Sequence, residues 1–282
     1  MFAKQSNSKG VSVWQKWAPK CANLNCLTTS LLQTINRRHE GMSVDGRRYC
    51  SGDCFEQALK EMVKEVLNSQ GKPAKAHSSR LPLGLLLLQR GILTAEQLKL
   101  ALARHKSSSG TNFGDVVQQL GFASEEQVTA AVAAQWACPV FALGDKRLEN
   151  ELRIPRLLLE LYGMIPVHYS ESDRRLMIAF VSSVQHQVLY TIGHVTSCTV
   201  APCFITAREY ELQLNSPSTF LRDHETVFEQ ILEPHGMARL IRDYVIKLGA
   251  EHFRLGHCRD YFWSRISGSK GETDLLFRVR ND

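Results

Sequence analysis

Four cysteines near the start of the chain have a spacing that could bind a metal ion. Cys21, Cys26, Cys50 and Cys54 form a C-x4-C pair and a C-x3-C pair separated by 23 residues. Zinc prefers four thiolate or imidazole ligands in a tetrahedron, and two pairs joined by a loop can meet around one ion. Four protein ligands leave no open position, so we expect a structural site, with His39 as a conceivable substitute ligand. A disulfide pair and unliganded cysteines are the alternatives.

The residues around the second pair predict the element that positions it. Cys50 and Cys54 are i, i+4, which places both sulfurs on one side of a first helical turn. Residues 55–67, FEQALKEMVKEVL, have apolar positions at helical spacing and predict an amphipathic helix. The stretch GRRYCSGDCF (46–55) resembles the half of a treble-clef finger that carries its second ligand pair at a helix start. The segment has too little apolar mass for a core of its own, so a metal would stabilise its fold.

The other potentially reactive residues indicate no enzyme. Scattered histidines form no nucleophile–base or carboxylate pair with a recognisable frame: His105, His168, His186, His194 and His235. No G-x4-G-K-[ST] phosphate loop is present in the sequence. Four further cysteines occur singly in apolar contexts and are predicted to be buried small residues: Cys138, Cys198, Cys203 and Cys258.

Charge is concentrated at the start of the chain. Residues 1–80 contain 13 Lys and Arg against 6 Asp and Glu, or +7, and the remainder is close to neutral within a total of +6. Such a segment could contact nucleic acid, acidic lipid or an acidic partner, or be a solvated basic arm. No apolar run is long enough for a transmembrane segment, and the N-terminus lacks a secretory h-region, so we expect a cytoplasmic protein.

A 23-residue pattern occurs twice without a gap, at 83–105 and at 113–135, 30 residues apart. Each copy predicts two short helices separated at a glycine. Gly91 and Gly121 suit the left-handed position that ends a helix. Thr94 and Ser124 suit the N-cap of the next helix, with acidic residues in its first turn. The repeat therefore predicts two similar helix pairs.

The shared frame resembles the N-terminal domain of type II secretion and type IV pilus assembly ATPases, including the MshEN subclass. In that subclass, tandem motifs of the form R-L-G-x-x-L-x-x-x-G…L-x-x-A-L-x-x-Q bind cyclic di-GMP. The arginine position holds Pro82 or Asn112 here, with Arg80 two residues upstream, so a packing scaffold is the alternative. The resemblance implies these ligand residues: Arg80, Leu83, Gly84, Leu87, Gly91, His105, Phe113, Gly114, Val117, Gly121 and Gln135.

Helices and strands alternate after the repeat and predict a small α/β unit over 137–214. The order is a helix (154–163), two strands (MIPVHYS and RLMIAFV), a helix, the strand CTVAPCFI and a closing helix, AREYELQL. This order looks like the α/β half of the same ATPase domain, so the resemblance covers roughly residues 80–215.

The last part of the chain predicts a small α/β piece. A helix is expected at about 225–249, and YFWSRIS (261–267) and LLFRVR (275–280) could pair as a hairpin across Gly268–Gly271. Residues 241–268 are similar to the domain that follows in the secretion ATPases. The chain would then consist of a finger (1–67), a linker (68–79), the ATPase-like domain (80–215) and the C-terminal piece (216–282), a multidomain α+β architecture.

These features together predict a non-catalytic regulatory or adaptor protein. The resemblance implies a partner in the secretion or pilus machinery and cyclic di-GMP as a candidate ligand of the repeat, and the cysteine pattern predicts structural Zn²⁺ in the finger. We expect no room for an ATPase motor after the C-terminal piece. The alternative is a zinc-finger protein that binds nucleic acid through its basic start, or a protein-interaction scaffold without a nucleotide ligand.

Overall fold

The computed structural model describes residues 20–26, 41–69, 80–108, 110–144, 151–216 and 224–280. The predicted α+β architecture is confirmed, with several small sheets and helices distributed along the chain. His39 and most of the predicted linker lie outside the described residues. Within the described ranges, no helix is both long enough and apolar enough to cross a membrane.

The N-terminal finger consists of a hairpin followed by a helix. Strands β1 (Met42–Val44) and β2 (Arg47–Tyr49) pair antiparallel around the turn Asp45–Gly46. Both turn residues have positive φ, 52° and 68°, which suits a tight hairpin whose twist matches its strands. Helix α1 (Gly52–Asn68) begins where the Ser51 side chain accepts a hydrogen bond from the Cys54 N–H. The predicted amphipathic helix is thus confirmed.

The tandem repeat forms two helix pairs, as predicted. Copy one contains α2 (Leu83–Gln89) and α3 (Ala95–Ser107), and copy two contains α4 (Phe113–Gln119) and α5 (Glu125–Gln135). The predicted N-caps of α3 and α5 each form a complete capping box with the glutamine three residues on. The glycines that end α2 and α4 both have φ of 68°.

The main helix contacts in the repeat are between the two copies and not within one copy. Helix α2 of copy one lies mainly against α5 of copy two, and α3 lies mainly against α4. This crossed pairing gives the four helices an approximate twofold relation. A small core between them contains the buried residues Leu87, Leu93, Ala101, Val117 and Ala131.

The α/β unit follows the predicted order of elements. Its three-stranded sheet has the order β3 (Met164–Ser170), β4 (Arg175–Phe180) and β5 (Thr199–Phe204), with β3 and β4 antiparallel and β4 and β5 parallel. The first helix ends at Gly163, which takes the left-handed conformation predicted for a helix stop. The elements are α6 (Arg156–Tyr162), β3 (Met164–Ser170), β4 (Arg175–Phe180), α7 (His186–Thr196), β5 (Thr199–Phe204) and α8 (Ala207–Leu214).

The C-terminal piece is a four-stranded sheet with one helix. Its elements are β6 (Glu225–Phe228), α9 (Pro234–Leu248), β7 (Ala250–Cys258), β8 (Tyr261–Gly268) and β9 (Gly271–Arg278), and the strand order is β6-β9-β8-β7. The predicted hairpin is confirmed, with Gly268 opposite Gly271.

The predicted helix at about 225–249 is wrong in its first part. Residues 225–228 form β6, which pairs in parallel with β9, and the helix begins only at Pro234. Proline suits the first helical turn because its missing N–H has no intrahelical acceptor there. The strand depends on a partner nearly 50 residues further along, which local periodicity does not reveal.

The C-terminal sheet has apolar contacts on both of its faces. One face shares a core with α9 and the finger, in which Phe253, Phe262 and Phe277 are buried. The other face, which includes Trp263, shares a core with the α/β unit. Here Gly256 allows close approach of α7, because a Cβ at this position would lie 2.5 Å from Thr191 Cγ2.

A buried ion pair stabilises the contact between the C-terminal sheet and the α/β unit. Arg265 makes two hydrogen bonds of 2.9 Å to Asp274, and the Trp263 indole donates to the same carboxylate at 2.6 Å. The remaining guanidinium donors reach the carbonyls of Leu152 and Arg153 at 2.8 and 2.6 Å. The pair therefore joins the sheet to the segment that precedes α6.

Candidate metal centre and tandem-repeat site

The four predicted cysteines converge at one point. All four Sγ atoms lie within 4.8 Å of one another, and the separations are 3.3 Å for Cys50–Cys54, 3.6 Å for Cys26–Cys50 and 3.7 Å for Cys26–Cys54. A tetrahedron with Zn–S bonds of about 2.3 Å places its sulfurs about 3.8 Å apart, whereas a disulfide needs about 2.05 Å. The arrangement fits a four-thiolate metal site and does not fit a disulfide between these sulfurs.

Backbone contacts hold the two cysteine pairs together. The first pair flanks a turn in which the Cys26 N–H donates to the Asn23 carbonyl at 3.1 Å. The Ala22 N–H donates to the carbonyl of Arg48 at 2.7 Å, which joins this turn to β2, and the Cys50 N–H points to the Cys21 sulfur at 3.4 Å. The arrangement of turn, hairpin and helix start is the one expected for a treble-clef-like finger.

Asn23 is a supporting residue that the sequence analysis missed. It is 5% exposed, and its side-chain amide donates to Gln57 on α1 at 3.0 Å. Its carboxamide oxygen also accepts from the Asn25 N–H at 3.0 Å. Asn23 thereby fixes the first cysteine turn against the helix that carries Cys54, and the signal available in the sequence was only its position between two cysteines.

The thiols do not favour ionisation without a cation. Burial, with a further contribution from the neighbouring Cys50 thiol, raises the pKa of Cys54 to about 12. Burial also raises the pKa of Cys21. Four thiolates in this space would repel one another, so a divalent cation is needed to stabilise them, and its binding would release protons. The donor set is soft and closed, which suits Zn²⁺ among the common biological metals.

The finger shares its apolar core with the C-terminal piece. The Phe55 ring packs edge-on against the ring of Phe253, with 5.8 Å between centroids. Arg242 on α9 makes a short ion pair with Glu56 on α1. The turn residue Asp45 contacts His252 and Arg254 on β7 at 3.0 and 3.2 Å. The cysteine centre is therefore part of a unit that contains residues from both ends of the described chain.

The remaining cysteines only partly match the prediction of burial. Cys203 and Cys258 are fully buried, and burial raises the pKa of each to about 12. Cys138 and Cys198 are only half-buried, so the prediction is wrong for these two. Both follow a helix by two or three residues, where an apolar sequence context does not ensure complete burial.

Several predicted ligand residues of the repeat have packing roles in the structure. A Cβ at Gly84 would lie 2.7 Å from Leu98 Cδ1 and 3.2 Å from the Phe113 ring, and a Cβ at Gly114 would lie 2.8 Å from Val128 Cγ1. Leu87 and Val117 are fully buried, and Leu83 packs beside them. Gly91 and Gly121 are exposed at helix ends. These residues account for the close helix contacts whether or not a ligand binds.

The remaining predicted ligand residues lie at two matching junctions. Gln135 at the end of α5 donates to the Leu81 carbonyl at 2.7 Å, just before α2. His105, which is 30 residues earlier in the repeat frame, packs edge-on against the Phe113 ring at the start of α4, with 5.8 Å between centroids. The last residue of each copy therefore contacts the segment at the start of the other copy. This arrangement agrees with the approximate twofold relation of the four helices.

Arg80 reaches the first junction, where it contacts a residue that the sequence analysis missed. Its guanidinium carbon lies 3.3 Å from the centroid of the Trp136 ring, in a cation–π contact. Leu81 and Leu85 beside it are 43% and 45% exposed. The junction thus offers a cation, an aromatic plane and apolar side chains near the surface. The tryptophan directly after the second copy was the available sequence signal.

The two copies differ in how they contact the α/β unit. The Glu125 carboxylate in copy two accepts a hydrogen bond from the Arg208 N–H at the start of α8, at 2.9 Å. The equivalent position in copy one is Ala95, which lacks an acceptor. Copy two is therefore anchored to the α/β unit at a position where copy one has no such bond.

Comparison with known proteins gives partial structural likenesses. No protein-family model and no curated protein sequence matches this chain. A structure of MshE with cdg (cyclic di-GMP) is 22% identical over 48% of this chain and 98% of its own, with a TM-score of 0.42. Two structures of the N-terminal domain of XpsE are 17% and 16% identical over 47% and 51% of this chain and 90% and 97% of their own, with TM-scores of 0.37 and 0.31. Likenesses at this level assign neither a family nor a ligand to this chain.

Proposed function

We propose that this chain is a non-catalytic, cytoplasmic regulatory or adaptor protein of type II secretion or type IV pilus machinery. In this proposal, the finger contains structural Zn²⁺ and the tandem repeat binds cyclic di-GMP. The observation that carries the nucleotide assignment is the pair of matching junctions, at which His105 and Gln135 occupy equivalent positions. A ligand with two equivalent halves suits a surface with two junctions at corresponding positions of the repeat, of which the first also has Arg80 and Trp136.

The chemistry of the first junction supports a guanine nucleotide. A guanidinium can neutralise a phosphate and stack on a flat base, and the Arg80 guanidinium carbon already lies 3.3 Å from the Trp136 ring centroid. The exposed leucines beside it can cover the apolar face of a base.

Calorimetric titration of the zinc-loaded full chain with cyclic di-GMP tests this proposal. We expect a micromolar or tighter complex, and at least a tenfold loss of affinity in Arg80→Ala, since a charge-assisted contact contributes about 1.5–3 kcal/mol. Lys99→Ala is the matched control, because Lys99 is exposed on α3 and its removal changes the net charge equally. The proposal fails if near-millimolar ligand gives no heat, or if Arg80→Ala binds as tightly as the control.

A protein-docking scaffold is the second candidate for the repeat. It is favoured by the glycine contacts, because helix packing alone explains why Gly84 and Gly114 lack side chains. It would also account for the exposed leucines at the first junction. The calorimetric result separates the two candidates, since a scaffold predicts no saturable heat with the nucleotide.

A further inference from the structure

A groove of about 520 Å³ lies where the finger, the α/β unit and the C-terminal sheet meet, and its lining includes none of the four cysteines and no residue of the repeat. We call it the junction groove. Its volume is within the range of about 300–1,000 Å³ that is usual for small-molecule sites. The lining comes from the finger hairpin, the second half of α1, the end of α7 and the middle of β7. These residues are Asp45, Arg47, Tyr49, Met62, Glu65, Val66, His194, His252, Phe253, Arg254 and Leu255.

The groove is amphipathic. Its inner part is apolar, with side chains of Phe253 and Leu255 from β7 and Met62 and Val66 from α1. The rim is mostly basic, with two arginines and two histidines against two carboxylates. The basic residues are Arg47, His194, His252 and Arg254, and all four are exposed.

Two of the basic side chains are already held in position. The Asp45 carboxylate oxygen lies 3.0 Å from His252 Nδ1 and 3.2 Å from an Arg254 terminal nitrogen. Arg254 also donates to the Phe253 carbonyl at 2.9 Å. Fixing these side chains in the free protein lowers the entropy cost of binding a further group there.

An aromatic surface continues outward from the rim. The His194 ring is nearly parallel to the ring of Tyr190, one helical turn away, at 7° and with 6.5 Å between centroids. Tyr190 is 78% exposed, so its ring face is accessible from solvent. A flat apolar group that leaves the groove could extend over these rings.

We propose that the junction groove binds a small anionic ligand with an aromatic or apolar body. The apolar floor would take the body, and Arg47 and Arg254 would bind the phosphate or carboxylate. A nucleoside monophosphate and an aromatic carboxylate share this chemistry. Because the lining comes from three parts of the chain, the bound ligand would hold the finger against the α/β unit.

Anilinonaphthalene sulfonate, a fluorescent anion with an aromatic body, is the probe that tests this proposal on the zinc-loaded full chain. We expect saturable binding of one probe per chain, at least about tenfold weaker in Arg47→Ala because a charge-assisted contact is lost. Glu65→Gln should bind the probe more tightly, because it removes a negative charge from the rim. If Arg47 and Glu65 only stabilised the fold, the two substitutions would not change the affinity for the probe in opposite directions.

Arg48→Ala is the matched control, since it lies on the same strand and its side chain points to the opposite side. Near-ultraviolet circular dichroism of each variant verifies that tertiary packing is intact. Displacement by GMP would indicate a nucleotide ligand, and displacement by benzoate a carboxylate ligand. The proposal is overturned if either Arg47→Ala or Glu65→Gln binds the probe as the native chain does, or if Arg48→Ala loses as much affinity as Arg47→Ala. Cyclic di-GMP binding that depends on Arg80 would be unaffected by either result.

Discussion

Removal of metal from the cysteine centre should loosen α9 and β7, at the other end of the chain. The contact between Glu56 and Arg242 already joins residues 186 positions apart. The perturbation is a strong zinc chelator added to the zinc-loaded full chain, or the substitution Cys50→Ser. Cys138→Ser is the matched control, because Cys138 is half-buried and lies outside the centre.

The size of the expected effect follows from the apolar side chains that the finger buries. Val44, Tyr49, Phe55, Leu59 and Val63 are each at most 2% exposed, in the core shared with α9 and β7. At about 1.5–3 kcal/mol for each buried side chain, the five contribute roughly 8–15 kcal/mol relative to an extended chain. A structural zinc ion stabilises a finger by about 10–16 kcal/mol, so its loss is large enough to open this core.

Hydrogen–deuterium exchange measured by mass spectrometry is the appropriate assay. A loss of only about 3 kcal/mol of opening free energy makes amides exchange more than 100-fold faster, and we expect at least this for peptides from α9 and β7. Peptides from the repeat serve as an internal reference, because its core is separate. Unchanged exchange in α9 and β7 after zinc release, verified by a colorimetric zinc indicator, would refute the shared-core reasoning.

Two further predictions concern packing. Asp274→Ala should destabilise the chain by about 3–5 kcal/mol in urea unfolding, because it leaves the buried Arg265 charge uncompensated, and adding Arg265→Met to it should restore part of the loss. Equal stability of the single and double variants would contradict this. Gly114→Ala should cost about 1–3 kcal/mol, since its Cβ would meet Val128 at 2.8 Å. The control Gly236→Ala, whose Cβ would meet nothing closer than 3.6 Å, should be neutral or slightly stabilising, and a similar loss in both would argue against overpacking.

Local signals in the sequence were sufficient for most elements. Thr94 and Ser124 cap their helices because the capping box needs only residues three positions apart. The positive φ of Gly91 and Gly121 is likewise a local requirement. The cysteine centre could be predicted because few arrangements place two close thiol pairs on a hairpin and a helix start.

Contacts between distant segments were not predictable in the same way. The apolar stripe of α1 indicates that one face is buried, but not that Phe55 meets Phe253. Strand β6 forms because β9 offers a parallel edge, which no property of residues 225–228 alone indicates. Trp136 lies just outside the repeated frame, so its contact with Arg80 depends on how the two copies cross.

The shared core of the finger and α9 has a consequence for synthesis of the chain. The finger helix ends at Asn68, and α9 begins only at Pro234. A ribosome that adds about 5–20 residues per second needs roughly 8–33 seconds to cover that distance. Throughout this interval the apolar face of α1 has no α9 to cover it, while the cysteines are already able to take up metal. The nascent finger therefore exposes this apolar face until the last sixth of the chain, from Pro234 onward, has been synthesised.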